Sequence, residues 1–167
     1  ILMGLVLALD LVGPTVFDRA ANRVYQSPPY SVSERGRRLY QDLFVVDLHA
    51  DSLLWDRDLG ERLRHGSVDL PRLIEGNVAI QSFFIVTKTP WITTIDRTSS
   101  DSDAITTLVT AQDWPKATRD SLLARALHQA SVLQGVAGRS EGGLVVLWNK
   151  RDLRAHREAR KNGQASV

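Results

Sequence analysis

Three ionisable side chains stand at alternate positions where an apolar run ends, in the segment LFVVDLHADSLLWDRDL, residues 43–59. Side chains two residues apart in a β-strand point to the same face, so Asp47, His49 and Asp51 are expected to share one face. Imidazole nitrogen and carboxylate oxygen are both ligands of zinc. The pattern therefore indicates either a divalent metal that neutralises the buried charges, or a hydrogen-bonded turn in which Asp51 caps a helix beginning at Ser52.

The elements around this cluster alternate between strand and helix. Runs rich in β-branched and aromatic residues predict buried strands over residues 43–46, 78–87 and 144–148. Helical segments separate them, and such alternation is typical of an α/β fold with parallel strands. In these folds active sites lie at the carboxyl ends of the strands, which is where the cluster would stand.

Capping residues and apolar spacing predict the helices. Ser31 followed by Glu34 is a capping box that starts a short helix. Asp69 is the predicted N-cap of the next helix, which ends at Gly76. A long helix after Asp113 carries one apolar stripe, which we expect to be buried; its members are Leu122, Leu123, Ala126, Leu127, Ala130, Leu133 and Ala137.

Composition narrows the classes of function. The 167 residues carry a net charge of +2, which does not indicate a nucleic-acid partner, and there is no cysteine for a disulfide or a thiol nucleophile. Residues 1–17 are apolar apart from Asp10, a little short of the roughly 20 residues of a spanning helix. We expect residues 1–24 to form a truncated membrane-anchor or signal-like helix and residues 25–36 a linker, with an ordinary buried helix as the alternative. The rest of the protein would then lie on the outer, periplasmic or extracellular, face of the membrane.

Two segments carry a resemblance to a known family. FVVDLHADSLLWDRDL and then GSVDLPRLIEGNVAIQSFFIV resemble, in order, the amino-terminal part of the membrane dipeptidase (renal dipeptidase) family of zinc peptidases. Leu48 and Ala50 stand where that family usually has Gly and Asn. The resemblance covers about residues 37–160. It implies that residues 37–167 form about the first third of a (β/α)8, TIM-like barrel, preceded by the apolar N-terminal helix.

The resemblance also implies an activity and a site. The family hydrolyses dipeptides with two zinc ions, and its first-strand ligands correspond to His49 and Asp51. Asp47 is expected either to contact these ligands without binding the metal itself or to cap the strand. The bridging glutamate and two further histidines are expected beyond Val167, because Glu141 lies at the wrong end of its strand. The chain is thus predicted to be an inactive fragment of a dipeptidase, with a homodimer possible.

Two alternatives remain open at this point. Another amidohydrolase-like metal-dependent hydrolase is one, although such enzymes more often carry His-x-His on the first strand. A non-catalytic, membrane-anchored interaction module is the other. The remaining histidines, His65, His128 and His156, are predicted to lie at or near the surface, His156 on the solvated face of a basic helix.

Overall fold

The computed structural model describes residues 15–26, 28–92 and 94–167. Helix α1 takes in residues 15–21, and the others are α2 (Glu34–Gln41), α3 (Leu70–Glu75), α4 (Ala104–Ala111), α5 (Leu122–Arg139) and α6 (Lys150–Lys161). The strands are β1 (Val45–Ala50) and β2 (Val78–Phe83), and two 3-10 turns cover Ser52–Leu54 and Lys116–Thr118. The described chain is a small mixed α/β domain.

The two strands are parallel, and α3 lies in the connection between them. Val45 pairs with Val78 and Ala50 pairs with Phe83. Asn77 fixes the start of both strands: it takes a left-handed backbone conformation with φ 49°, and its side-chain amide donates to the carbonyl oxygen of Leu43 at 3.0 Å. The carboxyl ends of β1 and β2 therefore lie at the same edge of the sheet.

The predicted partial (β/α)8 barrel is wrong for this chain. The sheet of the described residues has two strands, and residues 144–148 form no ladder with β2. A gap of about 240 Å³ separates them. Instead, the amide of Val167 donates to the carbonyl of Gly143 and the amide of Val145 donates to the carbonyl of Val167, each at 2.9 Å.

A side chain from α6 contacts the backbone of β2. The imidazole Nε2 of His156 lies 2.8 Å from the carbonyl oxygen of Ala79, and His156 is buried. A carbonyl of β2 is thereby satisfied by a side chain, as a buried backbone oxygen must be. This placement also overturns the prediction that His156 lies on a solvated face.

The prediction of an apolar helix over residues 1–24 is wrong for the described part of that range: residues 15–21 form helix α1, which carries Asp18 and Arg19, and residues 1–14 lie outside the described residues. In the described ranges no helix combines the length and the apolar character needed to cross a bilayer. Helix α1 is held against the domain by Asp18, whose Oδ2 lies 2.7 Å from Nε2 of His65 and 3.6 Å from Nε of Arg57. His65 is consequently half-buried rather than a surface residue.

Two helical details differ from the sequence-based expectation. The N-cap of α2 is Ser33, whose hydroxyl accepts from the amide of Gly36 at 3.1 Å, and not Ser31. In α5 the leucines at 122, 123 and 127 are 47%, 69% and 61% exposed, whereas Arg125 and Gln129 are buried. The helix is rotated because the two polar side chains find partners inside: Arg125 bonds Asp103, and Gln129 bonds both backbone groups of Val86.

Two apolar clusters form the core. The larger joins the segment after β1, α3 and the second half of α5, and its buried members are Leu53, Leu59, Leu70, Leu73, Val136, Leu144 and Val167. The smaller lies under α4 and consists of Leu54, Ile105, Val109 and Trp114. Leu53 and Leu54, in the turn after β1, belong to different clusters, so this turn is anchored from two sides.

Candidate functional site

Strand β1 and the turn that follows it bring together the three residues singled out in the sequence. Asp47 and His49 belong to β1, and Asp51 comes directly after it. Asp51 occupies the N-cap position of the Ser52–Leu54 turn, but its side chain makes no capping hydrogen bond. The carboxylate lies instead beside His49.

The separation of the donor atoms suits a shared metal ion. Nε2 of His49 and Oδ2 of Asp51 are 3.2 Å apart. Two ligands placed about 2.0–2.2 Å from a tetrahedral zinc ion lie roughly 3.3–3.6 Å from each other. The pair therefore fits two corners of a zinc tetrahedron within a few tenths of an ångström, and the same separation is that of a His–Asp hydrogen bond.

The His49 ring packs against an aromatic ring that directly follows β2. Its centroid lies 4.4 Å from that of the Phe84 ring, at an interplanar angle of 35°. Phe84 follows the end of β2, and its amide donates to the carbonyl of Ala50 at 2.9 Å. The backbone pairing of the two strands thus places an aromatic ring against the imidazole.

Asp47 contacts the backbone of the site. Its Oδ1 accepts from the amide of His49 at 3.1 Å. A carboxylate in this position fixes the conformation of the strand end that carries His49. Both alternatives given for Asp47, contact with the metal ligands and a structural cap, stay predictions.

The side chains of the pair are open to solvent. His49 is 62% exposed and Asp51 is 45% exposed. The expectation that zinc compensates the burial of these groups therefore does not apply in this structure. A metal at this position would be bound at the surface, at the carboxyl edge of the sheet.

The described residues offer the pair no third ligand. In residues 15–26, 28–92 and 94–167, no group of three or more His, Cys, Asp or Glu side chains is placed to hold a metal ion. His65 is engaged by Asp18, and His128 packs on Trp114 with ring centroids 4.3 Å apart. Glu141 is exposed in the turn after α5.

A cavity that the sequence reasoning did not identify opens beside Asp51. Its volume is about 620 Å³, and it lies between α1, α4 and the segments that follow β1 and β2. One face of α4 lines it, through Ala104, Thr107, Leu108 and Ala111. The spacing of three small residues on one helical face was the available sequence signal, but it could not show what lies opposite.

No protein-family model matches the chain, and no curated protein or solved structure is significantly similar to it.

Proposed function

We propose that His49 and Asp51 bind one zinc ion as part of a metal-dependent hydrolase that acts on dipeptides, as the resemblance to membrane dipeptidases implies. The observation that supports this most is the 3.2 Å separation of His49 Nε2 and Asp51 Oδ2. Both donors are accessible, and both lie where parallel strands end, the usual position of active sites in α/β proteins.

Each residue of the site has a separate task in this proposal. His49 and Asp51 hold the ion, Phe84 limits the rotation of the imidazole, and Asp47 fixes the backbone that carries it. When bound, zinc supplies the Lewis acidity that polarises a peptide carbonyl. Catalytic zinc sites normally have three protein ligands, so the proposal requires at least one ligand besides His49 and Asp51.

Zinc titration tests the ligand assignment. Isothermal titration calorimetry of the chain should show one weak zinc site, and His49→Ala or Asp51→Asn should each remove it. Loss of either donor leaves a single ligand, which does not hold zinc against water. In the whole protein, His49→Ala should abolish dipeptide hydrolysis while the circular dichroism spectrum is unchanged.

Two matched variants control for the change of residue type. His128→Ala removes an imidazole that packs on Trp114, and Asp101→Asn removes an exposed carboxylate elsewhere. Both should leave the zinc isotherm as it is in the wild type. Zinc binding that survives both His49→Ala and Asp51→Asn would contradict the proposal.

A non-catalytic interaction module is the second candidate, and one observation favours it. Val46 and Leu48 are exposed on β1, and Phe44 is exposed directly before it. Exposed apolar residues on neighbouring strand positions are typical of interaction surfaces. A chain that binds no zinc but self-associates or captures a partner through β1 would favour this function over the hydrolase.

The location at the outer face of a membrane belongs to the same proposal. It is supported by the apolar composition of residues 1–17. Fusion of topology reporters after Val167 should show that this end of the chain lies outside the cytoplasm. Activity inside would place the domain on the other face.

A further inference from the structure

The cavity beside Asp51 has the character of a binding pocket for an apolar group. Phe17 of α1, Trp55 after β1 and Trp91 after β2 line it from three different segments. The rings of Phe17 and Trp55 are 5.8 Å apart. A volume of about 620 Å³ falls within the roughly 300–1,000 Å³ of small-molecule sites, which are mostly apolar with few polar groups.

The cavity is accessible from outside. Phe17 is 57% exposed and Trp91 is 62% exposed, although both line it. When an apolar group covers large aromatic surfaces that were exposed to water in a concave site, the free energy of the system falls. An aromatic or branched aliphatic group is therefore the chemistry that the walls favour.

The position of Asp51 indicates where the polar part of a ligand bound in the cavity would lie. Among the described residues that line the cavity, Asp51 alone is charged. Its carboxylate is also the partner of His49 at 3.2 Å. A ligand that fills the cavity consequently has its polar part at the His49–Asp51 pair.

We infer that this cavity is a side-chain pocket that selects dipeptides with an aromatic or branched aliphatic residue, whose backbone lies at His49 and Asp51. The inference rests on the proposed function, because that function identifies the ligand as a peptide. It adds a preference among substrates that the two ligand residues do not determine.

Binding of two dipeptides tests the pocket. Phenylalanyl-phenylalanine should bind the chain at least tenfold more tightly than glycyl-glycine, measured by calorimetry and by tryptophan fluorescence, since Trp55 and Trp91 line the cavity. Ala104→Phe places an aromatic ring inside and should weaken binding of phenylalanyl-phenylalanine at least tenfold. Equal affinity for the two dipeptides would overturn the inference.

A control on the same helix separates filling of the cavity from the mere addition of a ring. Thr110 is exposed on α4 and does not line the cavity, so Thr110→Phe should change the affinity less than twofold. Thr107 is exposed and lines it, so Thr107→Phe decides the question if Ala104→Phe does not fold. Unchanged affinity in a folded Ala104→Phe or Thr107→Phe protein would also overturn the inference.

Repeating the titrations with and without zinc separates this inference from the proposed function. A preference for the apolar dipeptide in a chain that binds no zinc means that the pocket is correct and the hydrolase is not. Zinc binding that depends on His49, together with no preference between the dipeptides, means the reverse.

Discussion

At the scale of single residues, a buried cation links distant segments of the domain. Arg125 is 1% exposed. Its guanidinium donates to Asp103 Oδ2 and to the carbonyl of Thr87 at 2.6 Å each, while its Nε donates to the carbonyl of Thr118 at 2.6 Å. A buried charge is tolerated only when it is paired and hydrogen-bonded in this way. Arg125 thereby joins α5 to the segment after β2 and to the start of α4.

Removal of this charge should destabilise the domain strongly. We expect Arg125→Met to lower the free energy of unfolding by about 3–5 kcal/mol, because it leaves Asp103 and several carbonyls without a partner. Urea unfolding followed by circular dichroism measures the change. Arg139→Met is the matched control on the same helix, since Arg139 pairs with Asp58 in solvent and exposed pairs contribute about 0–1 kcal/mol. Similar losses in the two variants would contradict this account.

A second residue-scale prediction concerns pH. Burial lowers the pKa of the His128 imidazole, and the nearby Asp56 opposes this only in part. The folded state therefore takes up the proton less readily than the unfolded state, whose pKa is about 6.5. Stability contributed by neutral His128 should be present above that pH and be lost as the pH falls below it.

The variant His128→Phe keeps an aromatic ring on Trp114 but cannot be protonated. Urea midpoints at pH 8 and pH 5.5, followed through tryptophan fluorescence, should fall more in the wild type than in His128→Phe. The other histidines are common to both proteins, so the difference reports His128. Parallel pH profiles would exclude it as the source of the dependence.

At the scale of elements, α6 is attached to the sheet by side chains. His156 lies 2.8 Å from the carbonyl of Ala79, and Arg160 donates to Oδ1 of Asn77 at 2.6 Å. Asn149 begins the helix by accepting from the amides of Arg151 and Asp152. The orientation of α6 is thus determined by the side chains that reach β2 rather than by an apolar stripe.

The contact of His156 should be measurable as stability. His156→Leu leaves the carbonyl of Ala79 without its partner, and an unsatisfied buried group costs about 1–3 kcal/mol. Arg157→Leu alters an exposed neighbour on the same helix and should change the free energy of unfolding by less than about 0.5 kcal/mol. Chemical denaturation of both variants makes the comparison. A loss in His156→Leu no larger than that in Arg157→Leu would show that the contact contributes nothing.

At the scale of the whole molecule, the sheet is the unusual feature. In the described residues the sheet has only two strands, so each strand has one unpaired edge. Leu48 on β1 is 70% exposed. Exposed apolar strands pair readily with other chains. The described domain therefore carries a surface suited to self-association, and the homodimer stays a prediction.

Self-association should depend on this surface. Leu48→Lys is expected to shift the sedimentation profile toward monomer, because a charge on the strand disfavours pairing between copies. Leu123→Lys is the matched control, since Leu123 is 69% exposed but lies on α5. Analytical ultracentrifugation over a concentration series compares the two. Equal effects would mean that general surface polarity, and not β1, governs association.

The sequence by itself determined the local features. Asp69 caps α3, Gly76 ends it and Asn149 begins α6, as predicted, because a cap depends only on residues a few positions apart. The adjacency of His49 and Asp51 was likewise predictable, since both lie in one extended segment. Zinc binding by this pair and dipeptide hydrolysis stay predictions.

Tertiary structure decided the features that depend on distant residues. The predicted third strand did not join β2, and its backbone is bonded to Val167 instead. In the first half of α5 the leucines of the apolar stripe did not become the buried face, because Arg125 and Gln129 found partners on segments far away in the chain. The cavity beside Asp51 needs α1, α4 and two loops at once. The spacing of apolar residues in the sequence shows only which residues favour burial. Strand pairing and the orientation of α5 depend in addition on which buried polar groups can form hydrogen bonds with each other.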